Sequence, residues 1–256
     1  MKIIRFRIAD RPPRHGWILG DQVGVIDGSP FGPFSRREAD IQIEDIRLLP
    51  PVLPGKIICV GRNYAAHAAE HGAEVPDIPL VFLKPPSSII GPDQTIILPP
   101  QSNQVEHEAE LAVVIGRGGR WIDPREAMNF VFGYTLANDV TARDLQNRDG
   151  QWTRGKGFDT FCPIGPWIET EFDPADRLIQ CHVNGELRQM ASTRDMVFPI
   201  HQLIAFCSSI MTLEPGDILL TGTPSGVGAL ATGDVVEVSI EGFGVLRNPV
   251  AAETRA

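Results

Sequence analysis

Glycine and proline are spaced so densely along this chain that long helices have little room. The chain carries 25 Gly and 22 Pro in 256 residues, roughly one residue in five, and each tends to interrupt regular structure. Between them lie short apolar or alternating runs of strand length, at residues 16–26, 56–60, 80–83, 111–115, 132–137, 178–183, 218–221 and 235–240. Turn signals separate the runs: Asp27-Gly28, Gly91-Pro92-Asp93, Asn184-Gly185, Glu214-Pro215-Gly216-Asp217 and Thr232-Gly233-Asp234. Three segments read as helices. Residues 63–71 are Ala-rich and stopped by Gly72, residues 123–128 open with an N-cap Asp and a Pro, and residues 199–211 place Ile200, Leu203, Ile204 and Cys207 on one face. Many strands with scattered helices predict a β-rich α+β fold. The N-terminus alternates charged and apolar residues and lacks the apolar core of a secretion signal, so it reads as a first strand. The Pro-rich connector at residues 49–55 divides a small N-terminal β-rich module, residues 1–54, from a main domain, residues 55–256.

Charge narrows the function classes. Lys and Arg total 23 against 32 Asp and Glu, a net charge of −9. The densest basic stretch (Arg143, Arg148, Arg154, Lys156) is interleaved with Asp139, Asp144, Asp149 and Asp159, whereas a nucleic-acid reader wants an uninterrupted basic stripe. No nucleic-acid partner is expected. No apolar run approaches the ~18–20 residues of a membrane span, so no membrane partner is expected either. The four cysteines, Cys59, Cys162, Cys181 and Cys207, are far apart. Cys59, within Ile57-Ile58-Cys59-Val60, reads as a small buried hydrophobe, and the cysteine usage fits a reducing cytoplasmic location.

The strongest chemical signal is His107-Glu108-Ala109-Glu110 running into Leu111-Ala112-Val113-Val114-Ile115. Residues two apart on a strand share a face, with Cα atoms ~6.5–7 Å apart. Glu108 and Glu110 therefore point the same way at the mouth of an apolar strand. Two such carboxylates either lie solvated at a polar edge or share a divalent cation. Asp139 ends another strand-like run and could supply a third oxygen, a set that suits Mg²⁺ or Mn²⁺ better than Zn²⁺. Lys156 sits between Gly155 and Gly157, where the backbone can approach a ligand or simply turn at the surface. The segment Thr221-Gly222-Thr223-Pro224-Ser225-Gly226 follows a strand and could bind an anion or serve as a tight turn. His67 and Glu70 are one helical turn apart, the spacing by which a carboxylate orients an imidazole as general base. The same stretch, His67-Ala68-Ala69-Glu70-His71, also matches the H-x-x-E-H pattern of inverted zinc peptidases.

Taken in order, Gly61-Arg62-Asn63-Tyr64 with His67 and Glu70, Phe82-Leu83-Lys84-Pro85, His107-Glu108-Ala109-Glu110-Leu111, Asn138-Asp139-Val140-Thr141-Ala142-Arg143-Asp144-Leu145-Gln146, Lys156-Gly157-Phe158-Asp159-Thr160-Phe161 and Thr221-Gly222-Thr223-Pro224-Ser225-Gly226 resemble the fumarylacetoacetate hydrolase family. The resemblance spans residues 56–245. It implies mixed β-sheets rolled around the site and a homodimer. It also implies one Mg²⁺ or Mn²⁺ per subunit on Glu108, Glu110 and Asp139. It places Lys156, Gln146 and Thr223 at the substrate, and His67 with Glu70 on a lid as catalytic dyad. By motif the chain is similar to the shorter members: acylpyruvate hydrolases, oxaloacetate decarboxylases and hydroxyhepta-2,4-diene-1,7-dioate isomerases. The animal-type hydrolase carries an additional metal-binding Asp before the lid His, where this chain reads Cys59-Val60-Gly61-Arg62. Fumarylacetoacetate itself is therefore not the expected substrate.

Three carboxylates, a divalent ion and Lys156 sum to a nearly neutral site, so a dianionic 2-oxo acid needs further cations. Arg62 and Arg143 are nearest in sequence. A metal-stabilised enolate could serve hydrolysis, decarboxylation or isomerisation alike. The expected reaction is C–C cleavage of a small 2-oxo acid, acylpyruvate hydrolysis or oxaloacetate decarboxylation, because the His67–Glu70 pair is intact. The alternative is a 2-hydroxyhepta-2,4-diene-1,7-dioate-type isomerase or decarboxylase. A non-enzymatic metal- or ligand-binding domain would keep the three carboxylates without needing His67, Glu70 and Lys156 together.

Overall fold

The computed structural model describes residues 1–254. A twelve-stranded sheet dominates it. Its path runs Phe34–Gln42, Gln22–Gly28, Arg14–Leu19, Lys2–Arg7, Cys162–Glu169, Val131–Asn138, Ala109–Ile115, Ile218–Leu220, Ile57–Gly61 and Leu80–Lys84, with Arg47–Leu49 and Ile89–Ile90 paired off that path. Neighbours on the path are antiparallel except Ile57–Gly61, which runs parallel to Ile218–Leu220. A five-stranded sheet (Glu186–Ser192, Leu178–Val183, Val235–Ile240, Gly244–Ala252, Ile96–Leu98) packs against it. A small three-stranded sheet joins Thr141–Ala142, Val105–His107 and Gly228–Ala229. This is the β-rich architecture expected from the spacing of turns, with the mixed sheets that the resemblance implies.

The apolar run at residues 109–115 is buried at every position, the signature of a strand covered on both faces. Its two-residue period sorts it between two cores. Leu111, Val113 and Ile115 pack with Leu136, Val238 and Leu203, while Ala112 and Val114 pack with Ile57, Cys59, Ile218 and Leu220. Each such Val, Leu or Ile contributes roughly 1.5–3 kcal/mol by leaving water. The same period carries Glu110 to the face of Ala112 and Val114, at the strand's entrance. Hydrophobic burial thus fixes the direction in which this carboxylate points.

The first 49 residues supply five strands. Because Lys2–Arg7 pairs with Cys162–Glu169, they extend the main sheet and do not form one of their own, while Ile4, Phe6 and Val23 build a local core beneath them. Asn184 and Gly185, both at positive φ, close the hairpin between Leu178–Val183 and Glu186–Ser192 as their sequence predicts. All four cysteines are buried and free.

Several local expectations are corrected. The run at 16–26 is two strands folded at Gly20, whose φ of 59° breaks it. The helix expected at 123–128 is a turn followed by a single 3-10 turn, Ala127–Phe130. The Asp123 carboxylate there accepts the Arg125 N–H, a local bond that competes with helix formation. The helix expected at 63–71 shortens to α1, Ala65–Glu70, because Tyr64 is extended and bridges to Met196. Three more helices follow: α2 (Arg143–Asp149), α3 (Thr153–Lys156) and α4 (Ile200–Ile210). No described helix is long and apolar enough to cross a membrane.

Candidate active site

The entrance of the strand Ala109–Ile115 is broken by design of the hydrogen bonds around it. Glu108 lies in a gap between Val105–His107 and Ala109–Ile115. The Asn138 side chain fills the gap by accepting the Glu108 N–H at 2.9 Å, while Asp139 N–H donates to the Glu108 carbonyl at 2.8 Å. Gln189, fully buried on the neighbouring sheet, pins the other side. Its Oε1 accepts the Ala109 N–H at 3.0 Å, and its Nε2 donates to the Thr223 hydroxyl at 2.8 Å and the Pro224 carbonyl at 2.8 Å. Two backbone segments, 107–110 and 221–224, are thereby locked side by side.

The lock sets a buried layer of charge, with no member more than 6% exposed. Lys156 Nζ, at the end of α3, donates to Glu108 Oε2 at 2.7 Å and Asp139 Oδ2 at 2.8 Å. Lys84 Nζ donates to the other Asp139 oxygen at 2.5 Å and to the Val140 carbonyl at 3.1 Å. Arg143, opening α2, spans Glu106 at 2.7 Å and Glu108 at 2.5 Å, and also reaches the Gln146 side-chain oxygen. The Gly222 N–H donates to Glu110 Oε2 at 2.6 Å. Gly222 sits at φ +98°, and a Cβ there would fall 2.7 Å from the Asn63 Cβ, so only glycine brings this amide to the carboxylate.

Burial opposes charge at every member, and the neighbours decide the outcome. Burial alone would raise the Glu108 carboxyl, but Lys156 and Arg143 hold it well below the ordinary range. Burial would lower Lys156, but Asp139 and Glu108 keep its ammonium charged. Glu110 has no cation of its own. Burial, then Asp139 and Glu108, push it well up.

Glu108, Glu110 and Asp139 offer carboxylate oxygens all within 4.8 Å of one another. The donor set is hard oxygen throughout, each oxygen keeps lone-pair capacity beyond its present bonds, and a divalent cation would relieve the crowding felt at Glu110. These residues fit Mg²⁺ or Mn²⁺. The charge reckoning changes, however. Glu106 adds one negative charge, and Lys84 and Arg143 add two positive ones, to the three carboxylates and single lysine counted from the sequence.

Above this floor lies α1. His67 is buried, and its Nδ1 is 3.5 Å from Glu70 Oε2 without an aligned hydrogen bond. Glu70 instead accepts the Gly226 N–H at 3.0 Å and 3.2 Å. Burial lowers the His67 pKa below 6.5, so its imidazole is neutral at pH 7. The base of α1 is tied down by Asn63, whose side chain bridges the Phe198 N–H and the Phe198 and Thr221 carbonyls.

Floor and lid enclose a cavity of about 170 Å³ lined by Arg62, His67, His71, Glu108, Glu110, Asp139, Arg143, Gln146, Lys156 and Thr223 among others, small beside the ~300–1,000 Å³ of drug-sized sites. Every residue singled out in the sequence reaches this cavity except Glu70, which stands behind His67. Of the four residues expected to bind substrate, three are already engaged by protein: Arg143 and Gln146 as above, and the Thr223 hydroxyl, which donates to the Ala109 carbonyl at 2.9 Å. Among the described residues Arg62 has no ion-pair partner within 4.0 Å. Sequence reasoning missed Lys84, Glu106, Asn138 and Gln189.

Residues 56–251 match the family described as fumarylacetoacetate (FAA) hydrolase C-terminal, and residues 1–51 match one described as Rv2993c-like, N-terminal. An uncharacterized protein of Methanocaldococcus jannaschii is 53% identical over 235 residues, covering 92% of this chain and 97% of that one. The mitochondrial oxaloacetate tautomerase Fahd2a of Rattus norvegicus is 50% identical over 214 residues, covering 79% of this chain and 68% of that one. Among solved structures, the 5-carboxymethyl-2-hydroxymuconate delta-isomerase of Mycobacterium smegmatis superposes with a TM-score of 0.91 at 44% identity, covering 99% of this chain and 100% of that one.

Proposed function

Because the chain belongs to the fumarylacetoacetate hydrolase family, we propose that it is a divalent-metal-dependent enzyme that moves a proton at the carbon beside the carbonyl of a small 2-oxo acid, interconverting keto and enol forms or shifting a double bond. The observation that carries this reading is the neutral His67 facing, across one small cavity, a buried floor of paired carboxylates and ammonium groups. Relatives named oxaloacetate tautomerase and 5-carboxymethyl-2-hydroxymuconate delta-isomerase support the reaction class.

The residues divide the work. With Glu110 ionised, Glu106, Glu108, Glu110 and Asp139 against Lys84, Lys156 and Arg143 give the floor one negative charge, so a divalent ion held by Glu108, Glu110 and Asp139 would leave it positive and suited to an anionic acid. When bound, that ion supplies Lewis-acid stabilisation of negative charge on the 2-oxo oxygen. Arg62, in the cavity wall and free of ion pairs, is the cation for a second carboxylate. His67 directs Nδ1 toward Glu70, which leaves Nε2 to take the C3 proton. The electron pair of that C–H bond becomes the C2–C3 π bond, and Lys156 Nζ stays protonated beside the carboxylates it holds in place. Return of the proton to C3, or to the oxygen, completes either direction.

A second reading, C–C cleavage, is favoured by one specific feature. The Glu70-backed, buried His67 could equally deprotonate a water. One panel separates the two. With Mg²⁺ present, the protein should speed the decay of enol-oxaloacetate absorbance without releasing pyruvate. Accelerated pyruvate release from oxaloacetate or acylpyruvates, with unchanged enol decay, would favour cleavage. Inertness toward enol-oxaloacetate, diene-dioates and acylpyruvates together would refute both.

A further inference from the structure

We propose that His67, Glu70 and His71 form a second metal site on the lid, one that takes Zn²⁺ in preference to Mg²⁺ and silences the lid base when filled. Their candidate ligand atoms all lie within 4.8 Å of one another. The His67 and His71 rings meet edge-on, with centroids 4.8 Å apart at 79°. The independent sign of a missing ligand is His67 itself. The residue is 6% exposed, and its Nδ1 is fully buried with no hydrogen-bond partner, a state that normally costs free energy. That nitrogen is 3.5 Å from Glu70 Oε2, a poor hydrogen bond. Bonds of ~2.0–2.2 Å in a tetrahedral zinc site separate neighbouring ligand atoms by ~3.3–3.6 Å, so the spacing matches a ligand–ligand edge.

The chain holds this arrangement through local sequence. The i, i+3, i+4 spacing puts the three side chains on one face, and the Gly226 N–H fixes the Glu70 carboxylate from the facing loop. Two imidazoles and one carboxylate with an open fourth position suit zinc, whereas the hard-oxygen floor suits Mg²⁺. The two sites would therefore sort the two metals. His67 and His71 both line the cavity, so the ion has a path in. With zinc on Nδ1 the imidazole carries its one proton on Nε2, which then has no lone pair to accept the C3 proton. This last consequence rests on the functional reading above, and zinc binding itself does not.

The test uses the full-length protein in saturating Mg²⁺, titrated with Zn²⁺ against a chromophoric chelator, with Co²⁺ absorption as reporter of a tetrahedral nitrogen-containing site. One tight equivalent is expected. Loss of an outer-sphere partner already costs metal sites ~10–100-fold in affinity, so His71→Ala and His71→Gln should weaken zinc by more than that. Glu110→Ala, on the floor, should leave zinc binding unchanged. His71 is exposed, so its variants are expected to fold, and the turnover they show, whatever its level, should resist zinc inhibition. Unchanged zinc affinity in both His71 variants, or loss of zinc in Glu110→Ala instead, would overturn the site. Full turnover with the lid equivalent bound would overturn the silencing. If zinc binds through His71 but no 2-oxo acid is turned over, only the functional reading fails.

Discussion

The floor and the lid of this cavity are built on opposite terms. Every charge of the floor is buried and most are held twice: Lys156 by Glu108 and Asp139, Asp139 by two lysines, Arg143 by two glutamates. Helix α1 above it is six residues long, anchored by Asn63 and the Tyr64–Met196 bridge at one end and by one Gly226 amide on Glu70 near the other. Burial makes the floor's geometry part of the fold. With fewer bonds holding it than the floor has, α1 is the part that would move if the proposed function requires closure over a ligand. Catalysis of proton transfer needs both: fixed charges where negative charge develops, and a base that arrives with the substrate.

If this contrast holds, the floor should fail as structure and the lid as chemistry only. Lys156→Ala should do the most damage. Removing one partner of a buried ion pair costs about 3–5 kcal/mol, so denaturant melts should show a large stability loss together with loss of turnover. Unchanged stability would mean the floor is less tightly coupled than its distances indicate. His67→Ala should lower kcat by ~10²–10⁴-fold, the usual worth of a general base, with the melting temperature close to wild type. A collapsed fold in this variant would erase the distinction between the two regions. Gly222→Ala probes the seam between them. Its Cβ would collide with Asn63 and pull the amide from Glu110, a strain of ~1–3 kcal/mol, read as reduced stability and weaker Mg²⁺ binding.

The smallest effect is in pH. Burial lowers the His67 pKa from 6.5, so the folded imidazole stays neutral where an unfolded one begins to take up a proton. Turnover should therefore hold at pH 6.5 and fall only at more acid pH, and the stability this group contributes should likewise be present above 6.5 and lost as pH falls through the folded value. An acid limb centred at or above 6.5, or one that survives in His67→Ala, would show that another group titrates.

Which parts were visible in the sequence follows from the same contrast. Glu108, Glu110 and Asp139 stand at the ends of apolar runs, where strand period alone gives their direction, and Lys156 is marked by flanking glycines. Glu106 continues the Glu108–Glu110 alternation and was legible by that rule. Lys84 closes an apolar strand, Leu80–Lys84, and looks like an ordinary edge lysine, because only the sheet's path brings Asp139 to it. Gln189 gives no local signal: it lies in Glu186–Ser192, whose other residues are mostly exposed, and its role comes from the packing of one sheet on another. The expectation of substrate-binding Arg143 missed its two glutamate partners for a related reason, since Glu106 and Arg143 are 37 residues apart in sequence. Long-range pairing is set by topology, which local patterns do not carry.

The most direct test of the central claim is exchange of the C3 hydrogens of oxaloacetate for deuterium, followed by NMR in D₂O with Mg²⁺ present. Wild-type protein should accelerate exchange well above the buffer rate, and His67→Ala should lose ~10²–10⁴-fold of that acceleration while melting at the same temperature. Equal exchange by the two proteins, or no acceleration by either, would contradict the assignment of His67 as the base that moves this proton.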